Sequence, residues 1–147
     1  MRLVYLILIL ANFNLANSSE FFKDISNQIL NQGDRLSYGV AVSDTNNDGN
    51  YEFIVTGFGN KNLALSSING KLINIAKSKV FTDRKKLTIG VASCDIDGDG
   101  FEEIYFLNTD TYSGVKRYSD RLIDLKDNEY IDLFEKEINK DNLNLTA

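Results

Sequence analysis

The sequence predicts an all-β fold built from two similar four-stranded units. Three observations support this prediction: a segment that occurs twice, short apolar runs bounded by turn residues, and steps such as Asn-Gly and Asp-Gly between those runs. The first copy, YGVAVSD at 38–44, aligns with IGVASCD at 89–95, so that Asp44 matches Asp95, 51 residues later (95 − 44). The acidic segments and apolar runs that follow align at the same offset. The chain therefore contains two copies of one supersecondary unit.

Eight short strands are predicted, four in each copy. Their ranges are 38–43, 52–57, 62–67 and 71–76 in the first copy, and 89–94, 103–108, 114–118 and 121–125 in the second. Asn69-Gly70 is a strong hairpin turn between the last two strands of the first copy, and Ser119-Asp120 is the corresponding, weaker turn in the second. Cys94 is the only cysteine, and we expect it to lie in a buried strand. Units of this length with four strands are typical of β-propeller blades.

Two blades predict an incomplete propeller, because a closed propeller has about four to eight. One blade face is then left exposed. The predicted organisation is a signal peptide at 1–18, a lead-in segment at 19–37, a first blade at 38–88, a second blade at 89–139 and a C-terminal tail at 140–147. At 130–138 (YIDLFEKEI) apolar residues recur at helical spacing, which predicts a short C-terminal helix.

The N-terminus has the pattern of a secretory signal peptide. Met1-Arg2 precedes the apolar run LVYLILIL at 3–10, and small and polar residues follow up to Ser19. A run of this length is too short to cross a bilayer, so we expect a secreted, extracellular protein without a membrane span. Asn144-Leu145-Thr146 forms a sequon for N-glycosylation.

Composition excludes several classes of function. Lys and Arg number 16 against 21 Asp and Glu, and the net charge of -5 argues against binding to nucleic acid phosphates. Histidine is absent, which excludes histidine-dependent catalysis and histidine-ligated zinc sites. A carboxylate pair such as Asp110 with Asp120 is the remaining catalytic alternative, but acids in surface loops are usually just solvated. We therefore expect no enzymatic activity.

Much of the negative charge lies in two nine-residue loops, one in each copy. Loop one is DTNNDGNYE at 44–52, and loop two is DIDGDGFEE at 95–103. Carboxylate or carboxamide oxygens at positions 1, 3 and 5, a glycine at position 6 and an acid at position 9 converge on a hard cation, which predicts two Ca²⁺ sites. The predicted ligands are Asp44, Asn46, Asp48, Glu52 and the carbonyl of Asn50 in loop one, and Asp95, Asp97, Asp99, Glu103 and the carbonyl of Phe101 in loop two.

Two other interpretations of these loops compete with calcium binding. An EF-hand begins in the same way but needs Glu at position 12, where this chain has Val55 and Phe106. The second alternative is that the loops are plain polar turns, since Asp, Asn and Gly favour turns in any case. Several carboxylates in nine residues repel one another unless a cation neutralises them, which favours calcium. Asp97 replaces the neutral Asn46, so the sequence predicts tighter binding at loop two.

The run G-V-A-x-x-D-x-[DN]-x-D-G-x-x-E resembles the FG-GAP repeat of integrin α-subunit propellers. Residues 38–65 and 89–115 resemble, more specifically, the N-terminal blades of the cartilage acidic protein family of secreted matrix glycoproteins. The resemblance covers roughly residues 20–139 and implies that the ten loop residues above are calcium ligands. Members of that family continue through a full propeller.

Two functions follow from these expectations. The first is an extracellular calcium-binding module for adhesion or matrix contacts, with an unidentified extracellular protein or matrix component as partner. The second is a truncated propeller fragment without independent function, in which the calcium sites only support folding.

Overall fold

The computed structural model describes residues 22–29, 33–109, 118–127 and 129–134. The predicted signal peptide at 1–18, the sequon at Asn144 and the tail at 140–147 lie outside these residues. In the described parts of the chain, no helix combines the length and the apolar character needed to cross a membrane.

Two four-stranded antiparallel sheets follow one another along the chain. The first contains β1 (Val40–Ser43), β2 (Glu52–Val55), β3 (Leu63–Ile68) and β4 (Lys71–Asn74). The second contains β5 (Thr88–Cys94), β6 (Glu103–Asn108), β7 (Arg121–Lys126) and β8 (Glu129–Asp132). In both sheets the spatial order of the strands is their order in the chain. The prediction of an all-β, incomplete propeller of two four-stranded units is confirmed. We call the two sheets, with their loops, unit one and unit two.

The first sheet follows from local sequence signals. In β2 the side chains alternate, because Glu52 and Ile54 are buried whereas Phe53 between them is exposed. Asn69 and Gly70 have positive φ angles of 52° and 72°, so the turn between β3 and β4 has the backbone that an Asn-Gly hairpin favours.

The third and fourth strands of unit two begin later than the repeat predicts. Glu52 and Glu103 begin β2 and β6 and lie 51 residues apart (103 − 52), whereas Leu63 and Arg121 begin β3 and β7 and lie 58 apart (121 − 63). Seven extra residues therefore precede β7. The predicted strand at 121–125 is the third strand of the unit, and most of the strand predicted at 114–118 lies outside the described residues.

Two predictions for the end of unit two are wrong. Ser119-Asp120 precedes β7 instead of turning between the last two strands, a place taken by Asp127 with its positive φ of 51°. The short C-terminal helix predicted at 130–138 is a strand where the structure describes it, because Glu129–Asp132 form β8. A short apolar run fits both periodicities, and β7 provides a partner edge for strand pairing. Residues 135–138 lie outside the described part of the chain.

The hydrophobic core lies between the two units. It contains Ile54, Ala64, Phe81, Ile104, Phe106 and Ile123. The short helix α1 (Lys79–Thr82) connects the units, and Ser78 caps its N-terminus through a hydrogen bond from the amide of Val80. The ring of Phe81 lies 5.4 Å from the ring of Phe106 and 5.4 Å from that of Tyr130, measured between centroids. The linker thus contributes a central side chain of the core.

The first strands of the two units lie side by side. The hydroxyl of Ser93 in β5 donates a hydrogen bond to the carbonyl of Val42 in β1, at 3.1 Å. Gly39 and Gly90, which match each other in the repeat, meet where this contact begins. A Cβ on Gly39 would lie 3.1 Å from the Cα of Gly90, so any larger residue at this position would have to push the two strands apart by a few tenths of an ångström.

One face of unit one is apolar and exposed, as expected for an incomplete propeller. Val40 and Val42 of β1 and Phe53 of β2 are 63%, 52% and 46% exposed, and Val42 pairs with Phe53 across the two strands. Cys94 ends β5 in an exposed position, so its predicted burial is wrong. It lies at the last position of its strand, next to loop two.

We predict that Phe81→Ala destabilises the fold strongly. Phe81 is 1% exposed, and removal of a buried Phe side chain costs about 3–5 kcal/mol. The free energy of unfolding, measured with urea, should fall by that amount. Phe22→Ala is the matched control, because Phe22 is 90% exposed, and it should change stability little. Equal losses in the two variants would contradict the central position of Phe81.

Candidate metal centre

The two acidic loops lie at the same end of the molecule and face each other. Loop one connects β1 to β2, and loop two connects β5 to β6. Asn46 from loop one and Asp99 from loop two both line an open cleft of about 550 Å³. The hydroxyl of Tyr130 in β8 donates a hydrogen bond to the carbonyl of Thr45, which attaches loop one to unit two. Burial of Tyr130 raises the pKa of its hydroxyl.

The backbones of the two loops follow the same path. At position 4 of each loop, Asn47 and Gly98 have positive φ angles of 55° and 80°. At position 6, Gly49 and Gly100 have φ angles of 83° and 91°. These conformations favour glycine or asparagine and make the sharp turn that directs the side chains at positions 1, 3 and 5 inward.

In loop one, hydrogen bonds within the loop partly neutralise the acids. The carboxylate of Asp44 accepts hydrogen bonds from the amides of Asp48 and Gly49, at 3.0 and 2.8 Å. The carboxylate of Asp48 accepts from the backbone amide of Asn50 at 2.8 Å and from the side-chain amide of Asn46 at 3.1 Å. The hydrogen bond from the Asn50 amide lowers the pKa of Asp48. Two asparagines thus serve as neutral donors among the carboxylates.

In loop two, the carboxylate of Asp97 takes the place of Asn46, and Phe101 takes the place of Asn50. Asp95 accepts from the amides of Gly98 and Gly100, at 2.7 and 3.1 Å. One carboxylate oxygen from each of Asp95, Asp97 and Asp99 lies within 4.8 Å of the other two. Three like charges at this separation repel one another unless a cation lies among them. The amide of Phe101 donates to Asp99 at 2.8 Å, and the role of its carbonyl as a ligand stays a prediction.

The glutamate at position 9 is buried beneath each loop. Glu52 is 0% and Glu103 is 2% exposed. Oε2 of Glu52 accepts hydrogen bonds from the amide and hydroxyl of Thr45, at 3.0 and 2.7 Å, and Oε2 of Glu103 accepts from the amide of Ile96 at 2.6 Å. The Oε1 atoms of both glutamates are buried and accept no hydrogen bond from any residue that the structure describes. A buried carboxylate oxygen without a partner is costly, and a bound cation removes that cost.

Asp124 in β7 is a candidate ligand that the loop motif does not contain. It is 1% exposed, and one of its carboxylate oxygens lies within 4.8 Å of oxygens from Asp97 and Glu103. Nζ of Lys126 lies 3.1 Å from its Oδ2, and this contact, with the charges of Asp97 and Asp99, raises the pKa of Lys126. An acid between two apolar residues of a predicted strand is a signal in the sequence, but it does not identify the loop that the acid faces.

The ten predicted ligands are therefore arranged differently in the two loops. Within the residues that the structure describes, two groups of three acids bring their oxygens within 4.8 Å, and both belong to unit two. In loop one, Asn46 supplies an amide at position 3, and hydrogen bonds connect Asp48 with Asn46 and Asn50. The role of the Asn50 carbonyl as a ligand stays a prediction. Hard oxygen donors of this kind suit Ca²⁺, which takes about 6–8 oxygen ligands.

Comparison with known proteins identifies relatives of the chain. No family model matches it. Cartilage acidic protein 1 from Xenopus tropicalis is 46% identical over 114 residues, 71% of this chain and 18% of that protein. The human and mouse proteins of the same name are 43% and 42% identical over 71% of this chain, which covers 17% and 18% of their lengths. The chain thus spans less than a fifth of these relatives. Over the matched residues, the chain belongs to the cartilage acidic protein family.

Proposed function

We propose that this chain is an extracellular calcium-binding module with one Ca²⁺ site at each acidic loop. The observation that carries the proposal is the buried, unpartnered Oε1 of Glu52 and of Glu103, one beneath each acidic loop. The convergence of Asp95, Asp97 and Asp99 supports it further. The FG-GAP-like spacing of both loops agrees with this assignment.

The role that we propose for the sites is structural. Glu52 and Glu103 begin the second strands β2 and β6, so a ligand at either glutamate joins a loop to the sheet below it. Extracellular sites of this chemistry bind Ca²⁺ with Kd of about 10⁻⁴–10⁻³ M. At about 1 mM free calcium and a Kd near 10⁻⁴ M, one site stabilises the fold by roughly 1.4 kcal/mol.

We also propose that the module is secreted and contacts an extracellular protein or matrix component. The name of the relatives associates them with cartilage, and the exposed apolar face of Val40, Val42 and Phe53 offers a surface for contact. An enzymatic role is not proposed. Both carboxylate oxygens of Asp120 accept hydrogen bonds, from the hydroxyl of Tyr105 at 2.6 Å and the amide of Asn108 at 2.7 Å, which supports a structural role for this acid. Asp110 lies outside the described residues.

The same apolar face favours a second candidate function. In a propeller, each blade packs its apolar face against the next blade. Val42 and Phe53 have the position and character of such a contact. In this case unit one and unit two serve as part of a larger propeller, and their calcium sites support folding alone. Binding of a matrix partner by the isolated chain would favour the first candidate.

Calcium titration tests the proposed sites. We predict that the chain binds Ca²⁺ in calorimetry at millimolar concentration and that its melting temperature rises with calcium. Asp95→Ala/Asp97→Ala should lose the binding at loop two, because it removes two of the three converging carboxylates. The matched control is Asp34→Ala/Glu129→Ala, which removes two negative charges from exposed positions outside the loops.

The control should bind calcium as the unchanged chain does. If the chain is folded by far-ultraviolet circular dichroism and no heat of binding appears at millimolar calcium, the loops are polar turns and the proposal is wrong.

Exchange of the residue at position 3 should reverse which of the two loops binds calcium more tightly. We predict that Asp97→Asn weakens calcium binding at loop two roughly tenfold, because one charge at about 4 Å contributes about 1–4 kcal/mol. Asn46→Asp should strengthen loop one by a similar factor. Calorimetric affinities of the two variants check this. Unchanged affinities in both would show that position 3 is not a ligand position.

A further inference from the structure

Two buried acids lie opposite each other on neighbouring strands of unit two. In the antiparallel pairing of β6 with β7, Ile104 pairs with Ile123 and Tyr105 with Leu122. The same register places Glu103 opposite Asp124. The two carboxylates are 2% and 1% exposed. Like charges directly opposite on adjacent strands destabilise a sheet, and burial increases the effect.

The protein neutralises this pair only in part. Oε1 of Glu103 and both oxygens of Asp124 are buried and accept no hydrogen bond from the residues in the described ranges. Nζ of Lys126 lies 3.1 Å from Asp124 Oδ2, but Lys126 is half exposed, and an ion pair with an exposed partner contributes little. Asp97 brings a third carboxylate to the same point, which adds to the repulsion.

We propose that Asp97, Glu103 and Asp124 hold a divalent cation such as Ca²⁺ at an inner position beneath loop two, so that Asp124 is a metal ligand outside the nine-residue loop. The proposal rests on calcium binding at loop two, and it adds the strand, β7, that closes the site from below. One oxygen from each carboxylate lies within 4.8 Å of the others, as ligands about 2.3–2.6 Å from one Ca²⁺ require.

Unit one has no acid at the corresponding place. Phe53 pairs with Leu65 and Ile54 with Ala64, so the register places Glu52 opposite Ser66. Ser66 is buried and neutral. Glu52 and Ser66 therefore correspond to Glu103 and Asp124, with a serine in place of the second carboxylate. The inner position is a property of unit two alone.

Lys126 is placed to act as a counter-ion when the cation is absent. Its ammonium group is the cationic group nearest to Asp124 in the described ion pairs, and its exposed stem can turn outward. A divalent cation at the inner position would replace the ammonium group of Lys126 as the partner of Asp124, and it carries twice the positive charge. Lys126→Gln should therefore strengthen calcium binding at unit two, because a competing positive charge is removed.

The first test compares the whole chain with its isosteric Asp124→Asn variant. Without calcium, in a chelator, we expect the variant to melt about 2–4 °C higher, because the repulsion between Glu103 and Asp124 is removed. We expect millimolar calcium to raise the melting temperature of the variant less than that of the unchanged chain. We also expect the Kd for calcium at unit two to increase at least tenfold in the variant. An Asp124 with a purely structural role would give the same change in both conditions.

A reciprocal variant protects the test against simple misfolding. Ser66→Asp puts a carboxylate opposite Glu52 and should lower the melting temperature in chelator while it increases the rise caused by calcium. Ser67→Asp is the matched control, since Ser67 is the next residue of the same strand and is exposed. Ser67→Asp adds the same charge, but it should neither lower the melting temperature in chelator nor increase the rise caused by calcium.

The outcomes separate this proposal from the proposed function. Suppose that the chain binds calcium and that Asp95→Ala/Asp97→Ala abolishes binding at loop two. If Asp124→Asn and Ser66→Asp then leave the rise in melting temperature with calcium unchanged, the inner position is wrong and the loop sites stand. If the folded chain binds no calcium, both proposals fail. Loss in Asp124→Asn together with gain in Ser66→Asp supports the inner position.

Discussion

The glutamate buried beneath each acidic loop is the constraint on which the rest of the structure depends. Glu52 and Glu103 each begin the second strand of a sheet, and each uses one oxygen to hold the start of its loop, at Thr45 and Ile96. The other oxygen faces the loop without a hydrogen bond from the described residues. A buried charge in this position couples the loop to the sheet, because whatever neutralises the glutamate also fixes the turn above it.

The two units resolve this constraint in different ways. Loop one contains neutral donors, Asn46 and Asn50, which hydrogen-bond to Asp48, and a serine lies opposite its buried glutamate. In unit two, Asp97 stands in place of Asn46, and Asp124 adds a further carboxylate. The site in unit two therefore has more negative charge and fewer neutral hydrogen-bond donors than the site in unit one. On the proposed account, a cation therefore contributes more to the stability of unit two than to that of unit one. The first strands of the two units lie side by side and are joined by the hydrogen bond from Ser93 to Val42.

Local patterns predicted the repeat, the loops and the strands up to β6, since each depends on turn residues and alternation within a few positions. The strand predicted at 121–125 is present but is the third strand of its unit instead of the fourth, because seven additional residues before β7 break the repeat. Nothing in a short window reveals such an insertion. The apolar run at 130–138 fits a helix as well as a strand. Pairing with β7 favours the strand, which no local pattern shows. Asp124 was missed for the same physical reason. Its contact with Glu103 follows from strand register, which joins residues far apart in the chain.

Diffraction from crystals of the chain grown in calcium, at a wavelength where calcium scatters anomalously, measures this constraint most directly. An anomalous peak about 2.3–2.6 Å from Oε1 of Glu103 would show that a cation neutralises the buried carboxylate. A well-ordered loop two without an anomalous peak, in which Oε1 of Glu103 instead accepts hydrogen bonds from protein groups or ordered water, would contradict it.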